Sequence, residues 1–205
     1  MKFIKQLDKT QKFFIALSGG VDSVSLLHFC LKKRIQVTPV FFDHGDELAK
    51  KEEEFVKAHC ENYNLPLLIG HTEAVKGKNK SPKEFWREER YKFLDTLPGT
   101  ILLGHTFDDV VESWVFYMLR VGEGRFIPYQ RNNCIRPWLG TNKEELKEFC
   151  TKNEIEWFED PTNEDRTYTR NLIRHDLLPL AYQVNPGLKK VIMRKMKEKL
   201  ERENV

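Results

Sequence analysis

The sequence predicts an α/β fold in which a doubly wound parallel sheet carries a small helical extension at its C-terminal end. Short apolar runs alternate along the chain with stretches whose apolar residues recur at helical spacing. The runs are apolar throughout, which is typical of parallel strands that are covered on both faces. A polar or glycine-containing loop follows each run, and ligands of such sheets bind beyond the carboxyl ends of the strands.

Four strands carry the prediction, and each leads towards a helix. They are Phe13–Leu17, Val37–Phe42, Leu65–Ile69 and Thr100–Gly104. The helix after the first strand is expected around Val24–Leu31. In the helix after the second, apolar residues recur on one face from Leu48 to Tyr63. This order of strands and helices predicts a Rossmann-like topology.

Capping signals mark the later helices. Ser81, Pro82 and Glu84 predict the start of a helix after the polar segment 76–82. Thr106 and Asp109 form a second predicted capping box, and Thr141 to Glu144 form a third. The remaining expectations are one strand around Cys134–Arg136, a helix from Arg170 to Ala181 that breaks near Pro179, and a last helix from about Gly187 to Glu203.

Composition predicts a cytoplasmic globular protein without a membrane segment. The 205 residues can form one substantial domain with an appendage, which we place at 1–183 and 184–205. The apolar runs are too short to span a bilayer, and no signal-peptide pattern opens the chain. The four cysteines form no C-x-x-C pair, so buried free thiols in a reducing compartment are expected. The net charge of +3 permits nucleic-acid binding without requiring it.

The segment Ser18-Gly19-Gly20-Val21-Asp22-Ser23 joins the first strand to the first helix. Glycines let the backbone approach a phosphate closely, and N–H groups at a helix N-terminus favour an anion. The segment lacks the G-x-x-x-x-G-K-[ST] pattern, so no lysine of that motif reaches a terminal phosphate. The alternative is an ordinary turn in which Ser18 or Asp22 caps the helix.

Gly104-His105-Thr106-Phe107-Asp108-Asp109-Val110-Val111-Glu112 is the second group of functional candidates. Asp108 and Glu112 are four residues apart, so their side chains project along one flank of a helix. Clustered carboxylates suit Mg²⁺ or a substrate ammonium. The alternative is a capping box with acidic residues that complement the helix dipole, although this accounts for neither His105 nor Glu112.

The third group follows Glu159-Asp160-Pro161-Thr162-Asn163. Arg170 and Arg174 are one helical turn apart there, a spacing at which two guanidinium groups can grip a phosphate or an adenylate. The alternative is a solvated helix face with ordinary charged residues.

The three groups together resemble the catalytic domain of the tRNA(Ile)-lysidine synthetase family, whose members are N-type ATP pyrophosphatases. The resemblance covers nearly the whole chain. It rests on S-G-G-V-D-S, on W-R-E-E-R-Y at 86–91, on G-H-T-F-D-D-V-V-E, on I-R-P-W-L-G at 135–140, and on E-D-P-T-N followed by T-R-N-L-I-R-H-D-L-L-P-L. It implies an adenine nucleotide alpha hydrolase-like fold. It departs from the family pattern at Thr106, where a second histidine is usual, and at Asp43–Glu47.

The resemblance implies a ligase that uses ATP to adenylate the C2 carbonyl of a wobble cytidine in tRNA and then joins free lysine to it. The implied catalytic residues are Asp22, Arg87, Arg90, His105, Asp108, Asp109 and Glu112. The implied ATP-binding residues are Ala16, Ser18, Gly19, Gly20, Val21, Asp22, Ser23, His44, Gly104, Arg170 and Arg174. The implied Mg²⁺ ligands are Asp22 and Asp109.

Two other functions stay open from the sequence. One is an adenylating enzyme that acts on another RNA base or with another nucleophile, although the missing cysteine pair argues against sulfur. The other is a nucleotide- or RNA-binding module without turnover. In either adenylating enzyme, RNA phosphates are expected to contact the basic last helix, which has seven lysines and arginines from Lys189 to Arg202, and the segment Lys76–Lys80. The alternative for the last helix is an ordinary solvated terminal helix. Apolar residues of that helix are expected to pack on the domain or on a second subunit of a homodimer.

Overall fold

The computed structural model describes residues 3–72 and 82–203, which form one six-stranded sheet with helices on both faces. The strand order is β3-β2-β1-β4-β6-β5. The strands are β1 (Lys12–Ala16), β2 (Gln36–Asp43), β3 (Leu68–His71), β4 (Thr100–Leu102), β5 (Gln130–Arg131) and β6 (Cys134–Ile135). All pairs are parallel except β5 with β6. The predicted doubly wound α/β fold is confirmed, but one edge of the sheet is a short antiparallel hairpin where a single strand was expected.

The helices are α1 (Val21–Lys32), α2 (Glu47–Asn62), α3 (Pro82–Asp95), α4 (Phe107–Val121), α5 (Lys143–Lys152), α6 (Thr169–Leu172), α7 (Leu178–Val184) and α8 (Leu188–Arg202). A 3₁₀ turn covers Pro161–Glu164, and a π-helical turn covers Ile173–Leu177 between α6 and α7. No helix of the described residues is long and apolar enough to cross a membrane. The Ser81 cap and the Lys76–Lys80 contact lie outside the described residues.

Alternate residues of the strands divide the core into two clusters. Phe13, Ile15 and Leu17 join the larger cluster, to which α1, α2, α4 and α5 also contribute. Phe14 and Ala16 pack instead against the smaller cluster, which contains Tyr91 and Leu94 of α3. Both faces of β1 are therefore covered, which explains why its sequence is apolar at every position after Lys12.

The chain changes direction in the sheet between β1 and β4. It runs from β1 through β2 to β3 on one side, then returns to place β4 on the other side of β1. A crevice opens beyond the carboxyl ends of two such strands, because the loops that follow them diverge. Ser18 follows β1 and His105 follows β4, so both sequence groups meet at this point.

Three local expectations were wrong. The capping box of α5 is formed by Asn142 and Glu145, one residue later than predicted. Tyr63 and Met118, which the helical spacing placed on buried faces, are exposed. The helix after Arg170 does not break near Pro179 but continues to Val184. The wider π-helical turn before Pro179 is consistent with a ring that clashes with the preceding turn of a regular α-helix.

Helix α8 packs on the domain itself. Ile192, Met196 and Leu200 are buried and belong to the same core cluster as β1 and α1. These apolar residues therefore need no second subunit to cover them. The four cysteines are all buried free thiols, as expected.

Candidate active site

The Ser18–Ser23 loop is shaped by its own hydrogen bonds. The Ser23 hydroxyl accepts from the Ser18 backbone N–H at 3.1 Å and donates to the Gly20 carbonyl at 3.0 Å. Gly19 has φ +83°, and a Cβ there would lie 3.1 Å from Cδ1 of Phe55. A side chain at this position would therefore be strained and crowded at once.

Helix α1 begins at Val21 with Gly20 as its N-cap, and no side chain of the described residues caps it. The alternative in which Ser18 or Asp22 caps this helix is therefore wrong. Within the described part of the chain no side-chain oxygen accepts from the first N–H groups of α1, and together with the helix dipole these groups form a site that favours an anion.

Asp22 lies in the first turn of α1, beside a lysine from a distant part of the chain. Its Oδ2 is 3.2 Å from Nζ of Lys143, the first residue of α5. Its Oδ1 is buried and has no hydrogen-bond partner among residues 3–72 and 82–203. Burial, with a smaller contribution from the charge of Asp109, raises the pKa of Asp22 to about 6 against the opposing effect of Lys143.

Gly104 brings the end of β4 against the start of α1. A Cβ on Gly104 would lie 3.0 Å from the backbone carbonyl of Asp22 and 3.1 Å from the Ser23 nitrogen. This close approach places His105 beside the loop. Burial lowers the pKa of His105 to about 4, so its imidazole is neutral at physiological pH.

Asp109 forms the predicted helix cap and also faces the cavities of the site. Its Oδ2 accepts from the Thr106 backbone N–H at 2.7 Å and from the Thr106 hydroxyl at 3.0 Å, so the predicted capping box is present. Asp109 also lines two of the cavities around the Ser18–Ser23 loop. Its Oδ1 is 4.0 Å from the Arg174 guanidinium.

Asp108 and Glu112 were predicted to face an amine or a metal, but the structure engages both of them elsewhere. Asp108 accepts from the Lys143 backbone N–H at 2.6 Å and from Nζ of Lys189 at 2.8 Å. Glu112 is buried and forms a two-point pair with Arg174, at 2.6 and 3.1 Å. Burial raises the pKa of Glu112 despite this pairing. Neither carboxylate lines the three cavities that meet at Ser18.

Three cavities meet at Ser18. The first, called the slot, measures about 240 Å³ and lies between Ala16, Val40–Phe42 and Gly104. The second, called the main cavity, measures about 820 Å³ and extends from His105 towards α3 and the loop before β5. The third, called the lower cavity, measures about 670 Å³ and lies along the start of α1, with Lys143, Lys147 and Arg174 in its wall.

Arginines and aromatic rings dominate the wall of the main cavity. Arg87, Arg90 and Arg170 all line it, and their role in holding phosphate or RNA stays a prediction. Arg131 lies 4.0 Å from the ring centre of Tyr91, a cation–π contact. The predicted grip by Arg170 and Arg174 on one group is not formed, because Arg170 lines the main cavity and Arg174 the lower one.

His44 lies after β2 and lines both the slot and the main cavity. Its Nδ1 is buried without a hydrogen-bond partner within the described part of the chain. Burial lowers its pKa, so the ring is neutral and its free nitrogen is available to a ligand.

The resemblance implies a bound Mg²⁺, and the carboxylate oxygens of Asp22 and Asp109 are the candidate ligands. Asp22 contributes a buried Oδ1 without a partner in the described residues, and Asp109 contributes an Oδ1 that lies 4.0 Å from the Arg174 guanidinium. The described residues contain no group of three or more side chains that could hold a metal alone. Because Mg²⁺ commonly binds one or two carboxylates together with substrate phosphates, the two aspartates fit such an ion.

Sequence reasoning missed three residues of the site. Lys143 contacts Asp22, Arg136 donates to the Tyr91 hydroxyl at 2.9 Å, and Glu52 lines all three cavities. Burial raises the pKa of Glu52 to about 7, with a further contribution from Asp160 and Asp46. Lys143 could have been found from its place at the start of a predicted helix, which is a position where a side chain can reach a neighbouring site. Glu52 lies in a run of charged residues that is typical of solvent-exposed helix surface.

Comparison with known proteins shows the family to which the chain belongs. The sequence matches the PP-loop domain family over residues 1–181. It is 31% identical to the tRNA(Ile)-lysidine synthase of Thermotoga maritima over 92% of this chain and 49% of that protein. It is 32% identical to the tRNA(Ile)-lysidine synthase of Petrotoga mobilis over 94% of this chain and 68% of that protein.

Among solved structures, the U34-tRNA thiolase NcsA of Methanococcus maripaludis superimposes with a TM-score of 0.75 at 19% identity, over 95% of this chain and 73% of the thiolase, which supports the fold. The chain spans about half the length of the Thermotoga relative. On the sequence match over residues 1–181 and the identity to the Petrotoga protein, the chain belongs to the PP-loop family, within which it groups with the tRNA(Ile)-lysidine synthases.

Proposed function

We propose that this chain adenylates the C2 carbonyl of the wobble cytidine of tRNA(Ile) with ATP and then joins free lysine to that carbon. The observation that carries the proposal is the meeting of three cavities at Ser18, where an uncapped helix N-terminus and a buried aspartate oxygen lie side by side. Such a site can bind a nucleotide and hold two further reactants against it.

Each cavity suits one part of the reaction. One side of the slot is apolar, with Ala16, Val40 and Leu103 among its lining residues, which suits the face of a purine ring. The lower cavity presents Lys143, Lys147 and Arg174 beside the first turn of α1, which suits the departing pyrophosphate when a cation offsets the carboxylates of the same wall, namely Asp22, Glu52, Glu159, Asp160 and Glu164. The main cavity has arginines and exposed ring faces, which suits an unstacked base and its flanking phosphates. Asp22 and Asp109 would hold Mg²⁺, which supplies charge neutralisation for the phosphates when it is bound.

The proposed chemistry has two displacements. The C2 carbonyl oxygen attacks the α-phosphorus, and pyrophosphate leaves. The lysine ε-ammonium loses a proton to solvent, the resulting amine attacks C2, and AMP leaves as the bond between C2 and the adenylate oxygen breaks. Positioning and electrostatic stabilisation are the contributions this site can make, through the α1 N-terminus and the arginines of the main cavity. ATP and tRNA as reactants imply a cytoplasmic enzyme.

The alternatives receive less support. Burial raises the pKa of every cysteine thiol, to about 12 for Cys30 and about 11 for Cys60 and Cys150. None of them is suited to carry sulfur as a reactive thiolate. A binding module without turnover would have no use for a desolvated Asp22 at its phosphate site, because a buried carboxylate weakens the binding of an anion unless a cation accompanies it.

The experiment is incubation of the purified chain with ATP, Mg²⁺, lysine and bulk tRNA, followed by mass spectrometry of the digested nucleosides. We expect a cytidine that has gained lysine with loss of water, and one AMP and one pyrophosphate for each modified nucleoside. Formation of ADP and phosphate, or a modified nucleoside without lysine, would contradict the proposal.

We further propose that exposed lysines of α8 contact tRNA phosphates. Removal of the whole helix is not a clean test, because Ile192, Met196 and Leu200 would leave the core. We therefore expect the Lys190→Gln and Lys197→Gln double variant to bind tRNA with a shallower log–log salt dependence. The slope should fall by roughly 0.7 to 0.9 for each phosphate that the protein no longer neutralises.

The matched control is the double variant Lys9→Gln and Lys12→Gln, since these exposed lysines lie at the amino end of β1, away from the cavities. It removes the same charge and should leave the slope unchanged. Equal slopes for the α8 variant and the wild type would remove α8 from the RNA-binding surface.

A further inference from the structure

Asp108 lies at the centre of a chain of contacts that ends at Asp22. One carboxylate oxygen of Asp108 accepts from the backbone N–H of Lys143 at 2.6 Å, and the other accepts from Nζ of Lys189 at 2.8 Å. Lys143 in turn reaches Asp22 with its side chain, at 3.2 Å. Three helices, α4, α5 and α8, are therefore linked through one carboxylate to the first turn of α1.

The start of α5 is held in place by neighbouring contacts as well. The Phe107 backbone N–H, at the start of α4, donates to the Thr141 carbonyl at 2.8 Å. Lys143 is the first residue of α5, so the N–H that Asp108 accepts has no partner within its own helix. A carboxylate at a helix N-terminus also interacts favourably with the helix dipole. Asp108 thus fixes the position from which the Lys143 side chain extends.

This matters because a lysine side chain is long and its ammonium is held by few contacts. The Lys143 side chain is 32% exposed and that of Asp22 is 27% exposed, so the pair is open to solvent on one side. The four-carbon side chain of lysine is flexible, so its ammonium stays close to one target only when the backbone of the lysine is held in place. The same residue lines the lower cavity, where the pyrophosphate is proposed to leave.

We propose that Asp108 is a positioning residue, which with Lys189 of α8 fixes the start of α5 so that the Lys143 ammonium stays between Asp22 and the bound phosphates. This inference rests on the proposed function for the identity of the ligand. It differs from the role expected from the sequence motif, in which Asp108 touches the amine or the metal. It also makes α8 part of the support of the ATP site.

The test is a double-mutant cycle with Asp108→Asn and Lys189→Met. The readout is the affinity for ATP with Mg²⁺ by calorimetry, accompanied by kcat and by KM for lysine. We expect each single variant to bind ATP roughly three- to tenfold more weakly and the double variant to be no weaker than Asp108→Asn alone, since residues in contact are coupled. Lys9→Met, an exposed lysine before β1 that lines none of the three cavities, should bind ATP as the wild type does.

Three outcomes would overturn the proposal. Lower stability of Asp108→Asn with unchanged ATP affinity would make Asp108 a helix cap only. Asp108 would be the amine ligand if Asp108→Asn raised the KM for lysine tenfold or more while Lys189→Met left that KM unchanged. If the losses of ATP affinity in the two single variants add up in the double variant, Lys189 and Asp108 act independently of each other. If the wild type forms no lysine-modified nucleoside, the proposed function fails, and the cycle in ATP affinity still decides the role of Asp108.

Discussion

Asp22→Ala is expected to lower the rate of AMP and pyrophosphate release on the order of a hundredfold or more, the size of effect seen when a preorganised electrostatic group is removed. The reason is the environment of the carboxylate. One oxygen contacts Lys143, and the other is buried without a partner in the described residues. The buried carboxylate of Asp22 lowers the stability of the protein when no ligand is bound, and it becomes favourable once a cation and phosphates occupy the site.

The same variant should be at least as stable as the wild type, which separates loss of function from loss of fold. Burial raises the folded-state pKa of Asp22 to about 6 from an ordinary value of 3.8. A carboxyl with a raised folded pKa stabilises the fold at low pH, and this contribution disappears as pH rises through the folded value. Without Mg²⁺ and nucleotide, the wild type should therefore lose stability between about pH 4 and 6, and the variant should lack this decline.

Denaturant unfolding across that pH range and product analysis at saturating ATP are the two measurements. Asp176→Asn is a suitable control, because Asp176 is an exposed aspartate paired with Arg166 at 3.2 Å, outside the three cavities. Turnover within threefold of the wild type in Asp22→Ala would show that the chemistry does not depend on this carboxylate.

The parts of the site that follow strands were predictable from sequence, because local patterns determine them. A buried strand followed by small residues and a helix predicts where Ser18–Ser23 lies, and the same reasoning places His105 at the neighbouring strand end. The capping box of Thr106 and Asp109 is also a local pattern, and it gives Thr106 a reason to stand where a second histidine is usual in the family.

The flanks of α4 were not predictable in this way. Helical spacing places Asp108 and Glu112 on one flank, but it does not say which flank faces the crevice. That depends on partners that arrive 35, 62 and 81 residues later in the chain, namely Lys143, Arg174 and Lys189. Tertiary packing of α5, α8 and the π-helical turn decides that Asp109 faces the cavities. Asp108 and Glu112 support the structure instead.

Arg174→Ala is expected to give the largest loss of stability, about 3 to 5 kcal/mol at pH 8, which is the range for breaking a buried pair by removing one partner. Removing Arg174 should cost more stability than removing the charge of Glu112, because the Glu112 side chain is 2% exposed and that of Arg174 is 29% exposed. Without the guanidinium, Glu112 keeps a buried charge with little access to water. Glu112→Gln leaves a neutral amide beside a partly solvated arginine and should cost less.

The pH dependence of this stability loss shows whether the buried charge of Glu112 is its cause. Burial already raises the pKa of Glu112 above its ordinary value, and removal of Arg174 removes the two largest contributions that lower it, the hydrogen bonds and the charge attraction of Arg174, and leaves only the smaller effect of Arg170. A raised folded pKa means that stability returns as pH falls, so the deficit of Arg174→Ala should shrink between pH 8 and pH 5. The control Glu47→Gln breaks an exposed pair with Lys50 and should leave the unfolding free energy unchanged at both pH values. If Arg174→Ala unfolds like the wild type at pH 8 while losing turnover, the pair is not a structural support, and Glu112 returns as a candidate for binding the amine.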